Sequence, residues 1–147
     1  MGKILVVDDS KQHRKMLRLI FKKMGHQVIA EAENSEEAMA CYLECNPDLV
    51  SMDFEMPKIN GIKCAECILQ IDPQACIVMI SGSNHEGLSE KASESGISAF
   101  IKKPFKAQQL SLVINTLLAV KIEQKTSLDL KYSSLIEEEE ISSEYIL

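Results

Sequence analysis

No apolar run in the 147-residue sequence approaches the roughly 20 residues that a membrane-spanning helix needs. Basic residues are not in surplus: 16 Lys and Arg stand against 22 Asp and Glu, for a net charge of −6. A chain with no basic stripe is poorly suited to bind nucleic acid directly. No cationic and apolar leader precedes the first strand-like run, so a secretion signal is not expected. The cysteine count, five, is odd and comes without an export signal, so the thiols are expected to stay reduced in a cytosol. No internal self-similarity is evident. None of His13, His26 and His85 has the Ser or Cys neighbours of a hydrolase triad, and all three are expected to face solvent. Together these absences leave a cytoplasmic chain of about one domain, with no membrane insertion.

Four short apolar runs are present, and each ends abruptly in a polar residue. Ile4-Leu5-Val6-Val7 ends in Asp8-Asp9, and Leu49-Val50-Ser51-Met52 ends in Asp53. Ile77-Val78-Met79-Ile80 ends in Ser81, and Ala99-Phe100-Ile101 ends in Lys102-Lys103. Runs of this length, separated by helical patterns, read as buried parallel strands. In an open α/β sheet the ligand sits beyond the carboxyl ends of the strands. Asp8, Asp9, Asp53, Ser81 and Lys103 are therefore expected to converge, with Asp53 at the centre. Crowded carboxylates repel unless a cation joins them. Mg²⁺ is a hard cation that takes carboxylate and phosphate oxygens, so the set points to a divalent-cation and phosphoryl site.

In chain order, strands are expected at Lys3–Val7, Gln27–Ala32, Asp48–Asp53, Ala75–Ser81 and Ala99–Lys102. Helices are expected between them and after the last. The first, capped by Ser10, runs from Lys11 to Met24 with Met16, Leu17, Ile20, Phe21 and Met24 on one face. The second opens at Ser35 and turns Ala38, Met39, Tyr42 and Leu43 inward. The third covers Ile62–Ile71 and the fourth Leu88–Ser95. The fifth runs from Lys106 to about Val120 with Leu110, Val113, Ile114 and Leu117 buried. Strand-then-helix repetition means a parallel sheet with right-handed crossovers. Residues 121–147 carry 3 basic and 7 acidic side chains, against 13 and 15 in residues 1–120. This acidic extension is expected to be partly helical or disordered, with Leu128–Ile136 docked on the body or on a partner. Cys64 and Cys67, with Cys41 and Cys45, have a spacing conceivable for zinc, but helical cysteines usually pack as small apolar residues.

This arrangement resembles the receiver domain of two-component response regulators. The residues that carry the resemblance are Asp8-Asp9, Asp53 followed by Met56-Pro57 and Gly61, Ser81, and Lys103-Pro104-Phe105. It covers residues 3–120 and implies a flavodoxin-like, doubly wound five-stranded sheet of order 2-1-3-4-5 with five helices. It further implies that Asp53 accepts a phosphoryl group from a histidine kinase or phosphotransfer protein. Asp9 would ligate Mg²⁺ directly and Asp8 through water, with the Glu55 backbone carbonyl as a further ligand. Ser81 and Lys103 would bind the phosphoryl group, and Ser81 would move inward with it. Phe100 occupies the place of the family's aromatic switch, where it keeps the ring but lacks a tyrosine's hydroxyl. The output is expected to be a protein contact through the fourth helix, fifth strand and fifth helix, with no further catalytic or DNA-binding module. A Mg²⁺-dependent phosphatase or phosphotransferase is the enzymatic alternative, but no substrate cap or insertion supports it. A scaffold acting through its tail without phosphate is the other.

Overall fold

The computed structural model describes the backbone of residues 1–146 and the side chains of residues 1–136. Five strands form one parallel sheet: β1 Lys3–Val7, β2 Gln27–Ala32, β3 Leu49–Met52, β4 Ile77–Ser81 and β5 Ala99–Lys102. Their order in the sheet is β2-β1-β3-β4-β5. Between and after them run α1 Lys11–Lys23, α2 Ser35–Cys45, α3 Gly61–Ile71, α4 Leu88–Glu94 and α5 Ala107–Ile146. The chain builds outward from β1 to β2, then returns to the other side of β1 for β3. That reversal opens a crevice at the carboxyl ends of β1 and β3.

The strands' period of two sorts their side chains into two core layers. Leu5, Val7, Val50, Met52, Ile77 and Met79 face α2, α3 and α4, where Ala38, Tyr42, Ala65, Ile68 and Ala92 meet them. Ile4, Val6, Leu49, Val78, Ile80 and Ile101 face α1 and α5, against Leu17, Phe21, Leu110, Ile114 and Leu118. Burial on both faces explains why the runs are continuously apolar rather than alternating. Side-chain caps start three of the helices. Ser10 accepts from His13 N, Asn34 from Glu37 N and Asn60 from Lys63 N. Gly25 ends the α1 turn with φ +87°, a conformation that favours glycine.

Several inward faces differ from expectation. Met16 and Leu43 are exposed, and Leu118 rather than Leu117 completes the buried stripe of α5. A helix stripe drifts around its axis, so residues at the stripe's edge fall either side of the packing seam. The larger difference is at the end of α5, which continues past Val120 to Ile146. Lys121 donates to the Gln74 carbonyl, and Lys125 Nζ lies 2.5 Å from Asp48 Oδ1. The buried Leu110, Ile114 and Leu118 each contribute about 1.5–3 kcal/mol. The partly exposed Lys125–Asp48 pair is worth at most about 1 kcal/mol. Apolar burial therefore holds α5 on the sheet, and the lysines extend the contact by one turn. Leu128–Ile136 do not dock on the body: Leu128, Leu130, Tyr132, Leu135 and Ile136 are all exposed.

Gly61 joins the fold to the crevice. Its N–H donates to the Phe54 carbonyl at 2.7 Å, and a Cβ there would collide with the Asp53 backbone carbonyl. Only glycine lets α3 start this close to the end of β3. Gly61→Ala should therefore cost about 1–3 kcal/mol in urea unfolding, whereas Gly25→Ala meets no neighbouring atom and carries only conformational strain. Equal losses in the two variants would contradict the close-approach account.

Candidate functional site

The carboxyl end of β1 carries Asp8 and Asp9, and that of β3 carries Asp53. Sheet hydrogen bonding continues into both ends: Asp8 N donates to the Ala32 carbonyl at 3.0 Å, and Asp53 N to the Val7 carbonyl at 2.9 Å. These bonds fix both backbones, so the side chains inherit a defined place. Asp8 is 1% exposed and Asp53 is 9% exposed. Asp8, Asp9 and Asp53 each offer an oxygen within 4.8 Å of the others. Among the described residues this is the one group of three or more such side chains placed to hold a metal ion. The all-oxygen donor set suits a hard divalent cation. A cleft of about 360 Å³ beside Asp9 is lined by Asn34, Ser35, Pro57, Lys58 and Ile59.

Opposite charge comes from the loop after β5. Lys103 N donates to the Ser81 carbonyl at 3.0 Å, tying the ends of β4 and β5 together. Lys103 Nζ lies 3.5 Å from Asp8 Oδ2. Asp8 Oδ1 accepts from Ser10 N at 2.9 Å, while Arg14 donates to the Asp8 carbonyl at 2.7 Å. Asp8 is thus satisfied on both oxygens. Burial pushes the Asp53 carboxyl up to about 6, the Asp8 charge adds to that shift, and Lys103 opposes it. At pH 7, above that value, the ionised form of Asp53 still predominates and can act as a nucleophile.

The Ser81 hydroxyl is buried at the end of β4 and accepts from Ser83 N at 3.2 Å, which leaves its proton to donate. Phe100 is in register with Met79 and partly buried against the layer that includes Leu88 and Ala92. Glu55 follows Asp53 by two residues in an exposed loop. The cysteines do not assemble. All five are free, and among the described residues they form no metal-holding group.

His13 and His85 are exposed as expected and His26 is half-buried, but all three have partners. His26 accepts from Gly2 N and bonds Asn115, and His85 stands edge-on to Phe54 with ring centroids 5.3 Å apart. His13 belongs to the site. Its Nδ1 is 3.5 Å from Asp8 Oδ2 and 3.3 Å from Lys103 Nζ. A usable signal was its position in the first turn after Ser10, where α1 begins at the strand end. A lone histidine in sequence otherwise gives no hint of this.

Comparisons with known proteins point to one family. The response regulator receiver domain family matches residues 4–115. The chemotaxis protein CheY of Bacillus subtilis (strain 168) is 42% identical over 116 residues, spanning 79% of this chain and 97% of that protein. The CheY of Thermotoga maritima is 40% identical, spanning 78% of this chain and 97% of that protein. A chain of the solved CheX–CheY–BeF3–Mg²⁺ complex from Borrelia burgdorferi superimposes with a TM-score of 0.74 at 33% identity. That match covers 78% of this chain and 87% of the other. The chain belongs to the response regulator receiver domain family.

Proposed function

We propose that the protein is a single-domain response regulator that accepts a phosphoryl group on Asp53 and signals by protein contact. One observation carries this reading. Asp53 sits at the end of the central strand, nearly buried, with Asp8 and Asp9 within 4.8 Å and the Lys103 charge acting on it. The Asp53 carboxylate attacks phosphorus, an Asp53 O–P bond forms, and the donor's bond to phosphorus breaks with the electron pair leaving on the donor. A histidine kinase or phosphotransfer protein is the donor. Asp9 and Asp53, the Glu55 carbonyl, and Asp8 through water would hold Mg²⁺, which supplies charge compensation when bound. Lys103 and the Ser81 hydroxyl bind phosphoryl oxygens. Ser81 and Phe100 then carry the change toward the face built by α4, β5 and α5. The phosphoryl chemistry is self-directed, so the protein is not an enzyme with a separate substrate. Among the described residues no helix is long and apolar enough to cross a membrane. The solved CheX–CheY–BeF3–Mg²⁺ complex, one chain of which this chain resembles, supports the cofactor and the mode of output.

Asp53→Asn should abolish phosphate incorporation from acetyl phosphate, read by intact-protein mass. Incorporation at wild-type stoichiometry would defeat the assignment. Mg²⁺ titrated to millimolar concentration should shift the amide resonances of Asp8, Asp9 and Asp53 first, and unmoved resonances would exclude the site as drawn. Asp53 also makes a prediction about stability. Its ordinary value near 3.8 rises to about 6 on folding. Between those values the folded chain keeps a proton that the unfolded chain has lost, so stability falls as pH rises through the window. Without metal, in EDTA at pH 7, Asp53→Asn should therefore be more stable than the parent by roughly 1–3 kcal/mol. The difference should vanish near pH 4. Urea unfolding at the two pH values is the measurement, and a gain equal at both would refute the linkage.

A further inference from the structure

Lys103 has a second acceptor that the phosphoryl chemistry does not use. An ammonium carries three N–H donors and no lone pair. As a hydrogen bond, the 3.3 Å contact between Lys103 Nζ and His13 Nδ1 runs from the lysine to the imidazole. This bond requires the tautomer with its proton on Nε2. Asp8 Oδ2 lies 3.5 Å from both nitrogens, so His13, Lys103 and Asp8 close a triangle. Two of its corners, the imidazole lone pair and the carboxylate, attract the ammonium at the third.

His13 is held where it stands. Its backbone N donates to Ser10 Oγ, the cap of α1, so the ring hangs from the first turn of a helix that begins at the β1 end. The side chain is 48% exposed, so it is not filling the core. The Lys103 side chain, by contrast, is 17% exposed and lies between the helix and the carboxylates.

We propose that His13 is a positioning residue that holds Lys103 on the α1 side of the crevice while Asp53 carries no phosphoryl group. This rests on the reading of Asp53 as the phosphoacceptor. Lys103 must bond a phosphoryl oxygen above Asp53 once the group arrives. Moving toward β3, it can keep its attraction to the Asp8 charge, which acts over distance, but not the short-range bond to His13. The His13 bond thus stabilises only the empty arrangement, and it opposes phosphoryl binding by its own strength. A neutral acceptor bonded to an ammonium at a half-exposed site is worth about threefold to tenfold in an equilibrium constant.

The test is beryllofluoride binding in the presence of Mg²⁺, on the full chain, with His13→Ala and His13→Gln beside the parent. His13→Ala should bind beryllofluoride about threefold to tenfold more tightly. His13→Gln keeps a side-chain acceptor and should lie closer to the parent than the alanine variant does. A second readout is the ¹⁵Nζ resonance of Lys103 without beryllofluoride. It should move in His13→Ala toward its position in the beryllofluoride-bound parent, which a merely structural loss in α1 would not produce. Unchanged or weaker beryllofluoride binding in His13→Ala, or an unmoved Lys103 resonance, would overturn the proposal. Failure of the parent itself to bind beryllofluoride would overturn the phosphoacceptor reading along with it.

Discussion

Three carboxylates of like charge, held within 4.8 Å of one another at the ends of two adjacent strands, are the constraint on which the rest of the structure depends. Left alone they would separate. They stay together because their backbones are hydrogen-bonded into the sheet and the strands beneath them are buried. Ile4, Leu5, Val6, Leu49, Val50 and Met52 are each 0% exposed. A fully buried side chain of this kind is worth about 1.5–3 kcal/mol. Six of them outweigh the burial and the like-charge repulsion that together lift the Asp53 carboxyl to about 6. The fold thus stores an electrostatic cost that a cation and a phosphoryl group can relieve, and the core stabilises that store. Lys103 offsets part of it, and it is itself shared between Asp8 and His13.

The loops at this end hold the carboxylates by means that tolerate little change. The β3–α3 connection has to return α3 beneath Asp53 without a side chain in between, hence Gly61. Ser10 both caps α1 and donates its backbone N–H to Asp8, so one residue starts the helix and satisfies the carboxylate. Ser81 accepts from the chain that follows it, and its backbone carbonyl accepts from Lys103. Asp8, Asp53 and Lys103 are each held by a backbone bond to a neighbouring strand, so their geometry reflects the whole sheet.

The legible part of this was the part that local pattern controls. Four apolar runs, each closed by a polar residue, were enough to place Asp8, Asp9, Asp53, Ser81 and Lys103 at one edge of a parallel sheet. Strand order was implied by family resemblance, because nothing in a run of apolar residues says which strand it will lie beside. His13 was not legible for the same reason. Its partners lie 5 residues back and 90 residues on, and only the completed sheet brings them together. The edges of helix stripes were misread where burial depends on the packing seam, as at Met16 and Leu43.

The end of α5 was misread for a subtler cause. The buried stripe is read from apolar residues, and beyond Leu118 the residues next on that face are Lys121 and Lys125, which look like a change to a solvated surface. In the fold their long stems continue the stripe while their heads reach the Gln74 carbonyl and the Asp48 carboxylate. Steps of three or four residues keep to one helix face. Leu110, Ile114, Leu118, Lys121, Lys125, Leu128, Tyr132 and Leu135 form such a series. The body lies under its first half. Under its second half Leu128 is 64%, Tyr132 67% and Leu135 52% exposed. The face that packs α5 on the sheet therefore runs unbroken into a segment beyond the family match, which ends at residue 115. One periodicity serves both segments, so Leu128, Tyr132 and Leu135 are the core stripe carried past the core.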